Sequence, residues 1–358
     1  MKKIYIKEIN FLRFISIASV VIYHYFPEII PKGYLGVDLF FVISGFLISM
    51  LIYREIGDKK FSLLNFYNRR IKRIIPATIF LLFLVSITSF IIFTKVDLIN
   101  FSESLIYSIF FSSNFFFWLD GGYFGPNDNL KPLLHFWSLG VEEQFYIFFP
   151  IFLILIWKIK KSFLIPSIIA ISLISLASTQ IGGNFKISNL TSIFPYFKLP
   201  FEWIWQAGIS NFYSPFGRIW ELMIGALISF YLQKKTIKEN FINNFYSLFG
   251  LFLIIFSITI FSDNYKYPNF FALIPTVGTA LIIIFTTKKT YLNKILSNKV
   301  LVNLGLISFS FYLWHQPLLA FSRIYFVSNL SLIYTYFIII LSLILSYFSW
   351  KYIEQPFR

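Results

Sequence analysis

Cysteine is absent from this chain of 358 residues, and histidine occurs only three times. Without cysteine there can be no disulfide and no cysteine-ligated metal site. The three histidines, His24, His135 and His315, lie far apart and include no close-spaced pair. We therefore expect no structural metal site and no metal cofactor.

Charge is also scarce, and this limits the class of protein. Charged residues make up 13% of the chain and hydrophobic residues 57%, with a mean hydropathy of +0.72. A soluble domain carries about 25% charged residues, so membrane lipid must cover much of this surface. The net charge of +15 would suit nucleic acid, but basic residues of membrane proteins collect in cytoplasmic loops. No nucleic-acid partner is expected.

Apolar stretches near the length of a membrane span recur along the chain. They predict an all-α, polytopic bundle of about ten transmembrane helices, at residues 9–26, 35–53, 75–94, 136–157, 163–180, 217–232, 245–262, 269–287, 301–324 and 331–350. With the N-terminus inside, 22 Lys and Arg residues fall in inner segments and 7 in outer ones. This alternation predicts cytoplasmic N- and C-termini in the plasma (inner) membrane.

Two predicted outer connections are long, at residues 95–135 and 181–216. The first contains the glycine-rich residues 121–126, and the second contains two tryptophans within residues 202–205. Long loops often carry function, but Trp and Tyr also favour the membrane interface without any further role. The sequence leaves both interpretations open.

Ionisable residues inside predicted spans fall into two groups, and such residues are functional candidates. The inner group is cationic and consists of Arg13, Arg70 and Arg73. The outer group consists of His24, Asp38, His135, Glu142, Glu143, Arg218, Glu221 and His315.

Helix geometry relates the two groups through the first span. Arg13 and His24 are eleven positions apart, which brings them within about 20° of one helix face and roughly 16 Å apart along the axis. One face therefore presents a cation inward and an imidazole outward. A substrate with an anionic head and a long flexible arm, such as acyl-coenzyme A, fits this layout.

Each candidate also has a purely structural interpretation. Arg70 and Arg73 can be cytoplasmic anchors, and His24 can be an interfacial histidine. Asp38 can cap its helix. Two further alternatives are that Glu142 and Glu143 pair with Arg218, and that His315 hydrogen-bonds within the bundle.

At these positions the chain resembles acyltransferase family 3, the integral membrane O-acyltransferases. Arg13 and His24 match the family signature of arginine, ten residues and histidine. Further similar segments are residues 36–48, 70–77, 135–146, 310–318 and 354–356, with Gly140 where serine is commoner. The resemblance covers nearly the whole chain.

The resemblance implies transfer of acyl groups from cytoplasmic acyl-coenzyme A, with acetyl-coenzyme A the expected donor, to hydroxyls of cell-surface or lipid-linked saccharides outside. It gives His24 the catalytic role and assigns Arg13, Arg70 and Arg73 to the donor. Some relatives carry an additional esterase-like domain after the tenth helix. Residues 1–358 are expected to form one transmembrane domain without it, so direct transfer to the saccharide is expected.

A sugar hydroxyl is a poor nucleophile, and a neutral imidazole can take its proton during attack. A carboxylate on the other ring nitrogen would fix the tautomer. Glu143 is favoured for this, with Glu142 and Asp38 as alternatives, and the imidazole can instead be acylated and relay the group. Competing functions are a transporter of an anionic or lipid-linked substrate and a glycan polymerase. The sequence does not identify the sugar, the acyl chain or the oligomeric state.

Overall fold

The structure, a computed structural model, describes residues 5–120, 128–184, 211–235, 237–260, 267–326 and 331–358. These residues form helices and contain no β-strand. The α-helices of the described ranges are α1 (Tyr5–Tyr25), α2 (Gly36–Gly57), α3 (Leu63–Ile92), α4 (Lys95–Ile109), α5 (Ser113–Leu119), α6 (Phe136–Lys160), α7 (Leu164–Asn184), α8 (Pro215–Lys234), α9 (Ile242–Ile260), α10 (Leu273–Phe285), α11 (Tyr291–Leu296), α12 (Lys299–Leu306), α13 (Ser308–Phe326) and α14 (Leu332–Phe348).

Five helical segments of the described chain are long and apolar enough to cross a membrane. They are Gly33–Gly57, Leu63–Ile92, Phe136–Thr179, Ile242–Ile260 and Leu332–Phe357. Ile9–Tyr25 and Phe270–Phe285 are shorter apolar helices. The all-helical class and the apolar helices are thus confirmed, whereas the ten crossings and the cytoplasmic ends stay predictions.

Helices α2 and α8 form the most extensive helix pair of the bundle. They approach closely at Gly45 and Gly225, where an added Cβ would lie 1.9 Å from the carbonyl oxygen of Leu222 and 2.1 Å from that of Val42, respectively. Small residues allow such backbone contact between membrane helices. This pair supports α1 and α6, which both pack against α2.

Helix α3 begins twelve residues before the predicted span at 75–94. The Ser62 hydroxyl caps its first turn by accepting from the Asn65 amide at 3.4 Å. Hydropathy marks only the apolar part of a helix, and this one continues through the basic segment that contains Arg70 and Arg73. Those two arginines therefore lie on one rigid element, one turn apart.

The prediction of a loop at 95–135 is wrong for the first part of this connection, which is helical. Thr94 caps α4 by accepting from the Asp97 amide at 3.3 Å, and α5 follows. The predicted span at 301–324 is likewise divided into α12 and α13, with a break at Ile307 two residues after Gly305. Residues 121–126 and 202–205 lie outside the described residues.

Candidate active site

The three histidines of the chain meet where α1, α6 and α13 come together. His24 is in the last turn of α1, His135 directly precedes α6, and His315 lies within α13. The ring centroids of His24 and His315 are 5.6 Å apart, and those of His135 and His315 are 5.3 Å apart. All three side chains are buried. We call these residues the histidine cluster.

Reciprocal hydrogen bonds hold the backbones of α1 and α13 together at this cluster. Arg323 of α13 donates from Nη2 to the His24 carbonyl oxygen at 2.8 Å. Tyr25 of α1 donates from its hydroxyl to the His315 carbonyl oxygen at 3.0 Å. The two histidine backbones are therefore fixed relative to each other.

A second set of bonds fixes the start of α6 to α13. The Tyr312 hydroxyl donates to the His135 carbonyl oxygen at 2.7 Å, and the Ser138 hydroxyl lies 2.5 Å from the Tyr312 hydroxyl. His315 bonds within its own helix, with Nδ1 2.6 Å from the Tyr312 carbonyl oxygen. This bond is intrahelical, so the alternative that His315 serves only to hydrogen-bond within the bundle stays a prediction.

The loop that leads into α6 is anchored by Lys131. Its ammonium group lies 2.6 Å from carboxylate oxygens of Asp128 and Asp120, and its carbonyl oxygen accepts from Gln316 Nε2 at 3.2 Å. Burial opposes the charge of Lys131, but the hydrogen bonds with the two carboxylates raise its pKa above the ordinary value. The loop is thereby held against α13, beside His135.

The predicted donor arginines form a separate cluster with one addition. Arg13 is buried in α1 and lies within electrostatic range of Arg73 and Arg358. Arg70 precedes Arg73 by one turn of α3, and its Nε is buried without a hydrogen-bond partner. We call Arg13, Arg70, Arg73 and Arg358 the arginine cluster.

Arg358 was missed as a site residue because it was counted only as a terminal basic charge. After α14 the helix continues as a π-helical segment, Ser349–Glu354, which packs against α3. Glu354 is fully buried, accepts a hydrogen bond from Ser310, and pairs with Arg358 at 2.6 Å. The final segment at 354–356, already part of the family resemblance, was the available signal.

Glu142 and Glu143 lie beside the arginine cluster, away from the histidines with which they share the predicted outer group. Glu142 accepts hydrogen bonds from the Ser44 and Tyr146 hydroxyls and lies in electrostatic range of Arg13. Glu143 interacts in the same way with the arginines of α3.

The reason is the position of these glutamates along α6. They follow His135 by seven and eight residues, which is about 10–12 Å along the helix axis. Glu143 therefore lies in electrostatic range of Arg70 and Arg73 and not beside His24, and its Oε1 has no hydrogen-bond partner. Its role as the carboxylate that orients His24 stays a prediction that this arrangement does not favour.

Asp38 lies in a third polar group centred on Arg218. Arg218 donates from Nη2 to Asp38 at 2.6 Å, and its Nη1 lies 3.1 Å from Glu221 and 3.0 Å from the Tyr267 hydroxyl. The Tyr267 hydroxyl also donates to Asp38. The proposed pairing of Glu142 and Glu143 with Arg218 is therefore wrong, and Asp38 is engaged away from His24.

A narrow cavity lies between the arginine and histidine clusters. Residues of α1, α2, α6 and α13 line it, namely Ser16, Ile17, Val20, Gly36, Val37, Phe40, Ser138, Leu139, Glu142, Phe309 and Tyr312. Ser16 and Val20 come from the α1 face between Arg13 and His24, while Glu142 and Tyr312 belong to the surroundings of the two clusters. The cavity volume is only about 20 Å³, so a longer ligand can enter only if the surrounding side chains move apart.

A family model described as an acyltransferase domain matches residues 6–351. The chain belongs to acyltransferase family 3. The matched residues include both clusters except Arg358.

The curated relatives are longer than this chain. A Staphylococcus aureus (strain COL) protein, named as a candidate O-acetyltransferase, is 33% identical over 371 residues. O-acetyltransferase OatA of Staphylococcus aureus (strain NCTC 8325 / PS 47) is 30% identical over 365 residues. Each alignment covers 99% of this chain and 57% of the relative, so the chain spans a little over half their length. No solved structure matches the chain significantly.

Proposed function

We propose that this chain is a membrane O-acyltransferase, and more narrowly an O-acetyltransferase, that acts across the plasma (inner) membrane. It takes the acyl group from cytoplasmic acyl-coenzyme A and transfers it to a hydroxyl of a cell-surface or lipid-linked saccharide. The observation that carries this proposal is the cavity between a cationic cluster and an imidazole cluster along one face of α1. The names of the longer relatives support the acetyl group.

The arginine cluster is proposed to hold the phosphates of the acyl-coenzyme A. Guanidinium groups suit this because each can present two parallel N–H donors to a phosphate. The three glutamates Glu142, Glu143 and Glu354 leave this cluster one positive charge in excess when all groups are ionised. Anionic phosphates would therefore meet both a net positive charge and paired N–H donors at this cluster.

His24 is proposed to act as the general base at the other end of the cavity. The acceptor hydroxyl oxygen attacks the thioester carbonyl carbon while the neutral imidazole takes the hydroxyl proton. The tetrahedral intermediate collapses, the carbon–sulfur bond breaks, and the coenzyme A thiolate leaves and takes up the proton from the imidazolium. The net products are the O-acyl saccharide and coenzyme A, so atoms and charge balance.

The same ring can carry the acyl group transiently before the saccharide attacks. A rapid-quench experiment with labelled acetyl-coenzyme A and no acceptor distinguishes this route, because only the relay leaves label on the protein. Direct transfer predicts unlabelled protein.

The test of the proposed function is acetyl transfer by the purified protein in lipid nanodiscs. Labelled acetyl-coenzyme A and a saccharide extract of the producing cell envelope are supplied, and coenzyme A release and label in the saccharide are measured together. We expect both to depend on the extract. Passage of a substrate through proteoliposomes without a covalent product would contradict an acyltransferase and favour a transporter.

A further inference from the structure

The hydrogen bond within α13 defines the protonation of the His315 ring. Nδ1 of His315 lies 2.6 Å from the Tyr312 carbonyl oxygen, and a carbonyl oxygen can only accept. Nδ1 therefore carries a hydrogen, and in the neutral ring the lone pair is at Nε2. His315 is thus a hydrogen-bond acceptor at the edge of the ring that points away from its own helix.

That acceptor atom is buried and has no hydrogen-bond partner. Buried polar atoms without a partner are uncommon and costly, so an unsatisfied Nε2 needs an explanation. The His24 ring is 5.6 Å away between centroids, and the His135 ring is 5.3 Å away. Both other imidazoles therefore lie beside the ring that carries this acceptor.

Two of the three carboxylates expected to orient His24 are engaged in other networks, and the third lies in electrostatic range of arginines. Asp38 binds Arg218 and Tyr267. Glu142 accepts from Ser44 and Tyr146, and Glu143 faces the arginines of α3. None of these three carboxylates contacts the His24 ring, whereas the His315 ring lies beside it.

We propose that His315 is the positioning residue of the acyl-transfer reaction. Its Nε2 accepts the N–H of His24, directly or through one water molecule, so that the second nitrogen of His24 keeps its lone pair toward the acceptor hydroxyl. The reciprocal bonds from Tyr25 and Arg323 to the two histidine backbones hold the rings at the required separation. The inference rests on the proposed function, since it assumes that His24 is the base.

The same acceptor also serves the protonated state of His24. When His24 takes the hydroxyl proton it becomes an imidazolium with two N–H donors. A neutral acceptor already in place stabilises this cation without having to move, which lowers the barrier to transfer.

A matched pair of amide substitutions tests the role of Nε2. His315→Gln can place an amide oxygen near the position of Nε2, whereas His315→Asn reaches only the position of Nδ1 and keeps the bond to the Tyr312 carbonyl. We expect His315→Asn to lower kcat by on the order of 10- to 100-fold, the usual loss for an orienting partner. KM for acetyl-coenzyme A should not change, and His315→Gln should recover most of kcat.

The control is Ser322→Ala on the same helix, whose hydroxyl bonds only the Leu318 carbonyl and whose loss should leave kcat unchanged. Equal activity of the two His315 variants, or higher activity of His315→Asn, would overturn the inference. Loss of kcat in both variants, with coenzyme A still bound, would also overturn it and indicate that the ring must itself take up a proton. Near-normal transfer by His24→Ala would instead disprove the proposed function, whatever the His315 variants do.

A spectroscopic measurement on the unmodified protein covers the case in which both His315 variants fail to fold. The chain has three histidines, so ¹⁵N-histidine labelling gives three ring signals. We expect one neutral ring to be protonated at Nδ1. The ¹⁵N chemical shift of its Nε2 should be displaced toward the value of a hydrogen-bonded acceptor nitrogen. Three rings protonated at Nε2 would contradict the inference without any substitution.

Discussion

His24 and His315 each have their carbonyl oxygen held by a side chain from the helix of the other. Arg323 reaches the first at 2.8 Å and Tyr25 reaches the second at 3.0 Å, while the ring centroids stand 5.6 Å apart. Backbone and side-chain positions are thus determined together at the junction of α1 and α13. Changes to these bonds should affect chemistry more than donor binding.

Removing the Tyr25 hydroxyl tests this coupling. Tyr25→Phe loses a buried hydrogen bond worth about 1 kcal/mol, so that only the Arg323 bond to the His24 carbonyl still links the two histidine backbones. We expect kcat to fall by about fivefold while the affinity for coenzyme A is unchanged. Tyr336→Phe on an exposed ring is the control. A loss of coenzyme A affinity equal to the loss of kcat would show that the bond supports the whole fold and not the histidine cluster.

The donor site is tested by two neighbouring arginines with different contacts. Arg70 belongs to the arginine cluster, whereas Arg69 pairs at 2.8 Å with Glu55 on an exposed surface. Arg70→Ala should weaken coenzyme A binding about tenfold or more, since a charge-assisted contact contributes about 1.5–3 kcal/mol. Arg70→Lys should also weaken it, because the planar fork is lost.

Isothermal titration of coenzyme A into detergent-solubilised protein gives these affinities. Arg69→Ala should bind as the unmodified protein does. Equal coenzyme A affinities of Arg69→Ala and Arg70→Ala would indicate that both residues serve only as cytoplasmic anchors.

The cavity is tested by filling it. Ser16 lines the cavity one turn after Arg13 in α1, and its hydroxyl bonds only the Leu12 carbonyl of its own helix. Ser16→Leu should block the acyl arm, so that transfer is lost while 3′,5′-adenosine diphosphate, the phosphate-bearing head of coenzyme A, still binds. Ser86→Leu replaces a serine with the same intrahelical bond on α3 and should remain active. Full transfer by Ser16→Leu would mean that the arm takes another path.

Topology follows from the distribution of basic residues between alternate segments. Reporter fusions after Lys60 and Lys161 should be cytoplasmic, and fusions near Asn127 and Asn189 should be extracytoplasmic. A cytoplasmic reporter at Asn127 would put the histidine cluster on the wrong side for a saccharide acceptor outside.

Helix periodicity and charge were sufficient to predict one part of the site. The eleven-residue interval between Arg13 and His24 places both on one face, and the cavity lies along that face. The segment around Arg70 was also identified from its charge. These inferences depend on spacing within one element, which the sequence determines directly.

Contacts between elements were not predictable in the same way. Hydropathy locates the membrane edge only approximately, so Glu143 was assigned to the histidines although it lies two turns deeper in α6. The meeting of His135 with His315 depends on how α6 packs against α13, for which the sequence carries no local signal. The search for apolar stretches did not reveal the helices in residues 95–119, because these helices are less uniformly apolar than a membrane span.

In the proposed mechanism, His24 performs the transfer chemistry and does not bind the coenzyme head. The most direct measurement is acetylation of the saccharide by folded, purified His24→Ala and His24→Asn with saturating acetyl-coenzyme A. Asn keeps a polar side chain but offers no base near neutral pH. We predict that both variants bind acetyl-coenzyme A normally and transfer almost nothing. Turnover near that of the unmodified protein from His24→Ala would show that His24 is not the catalytic base.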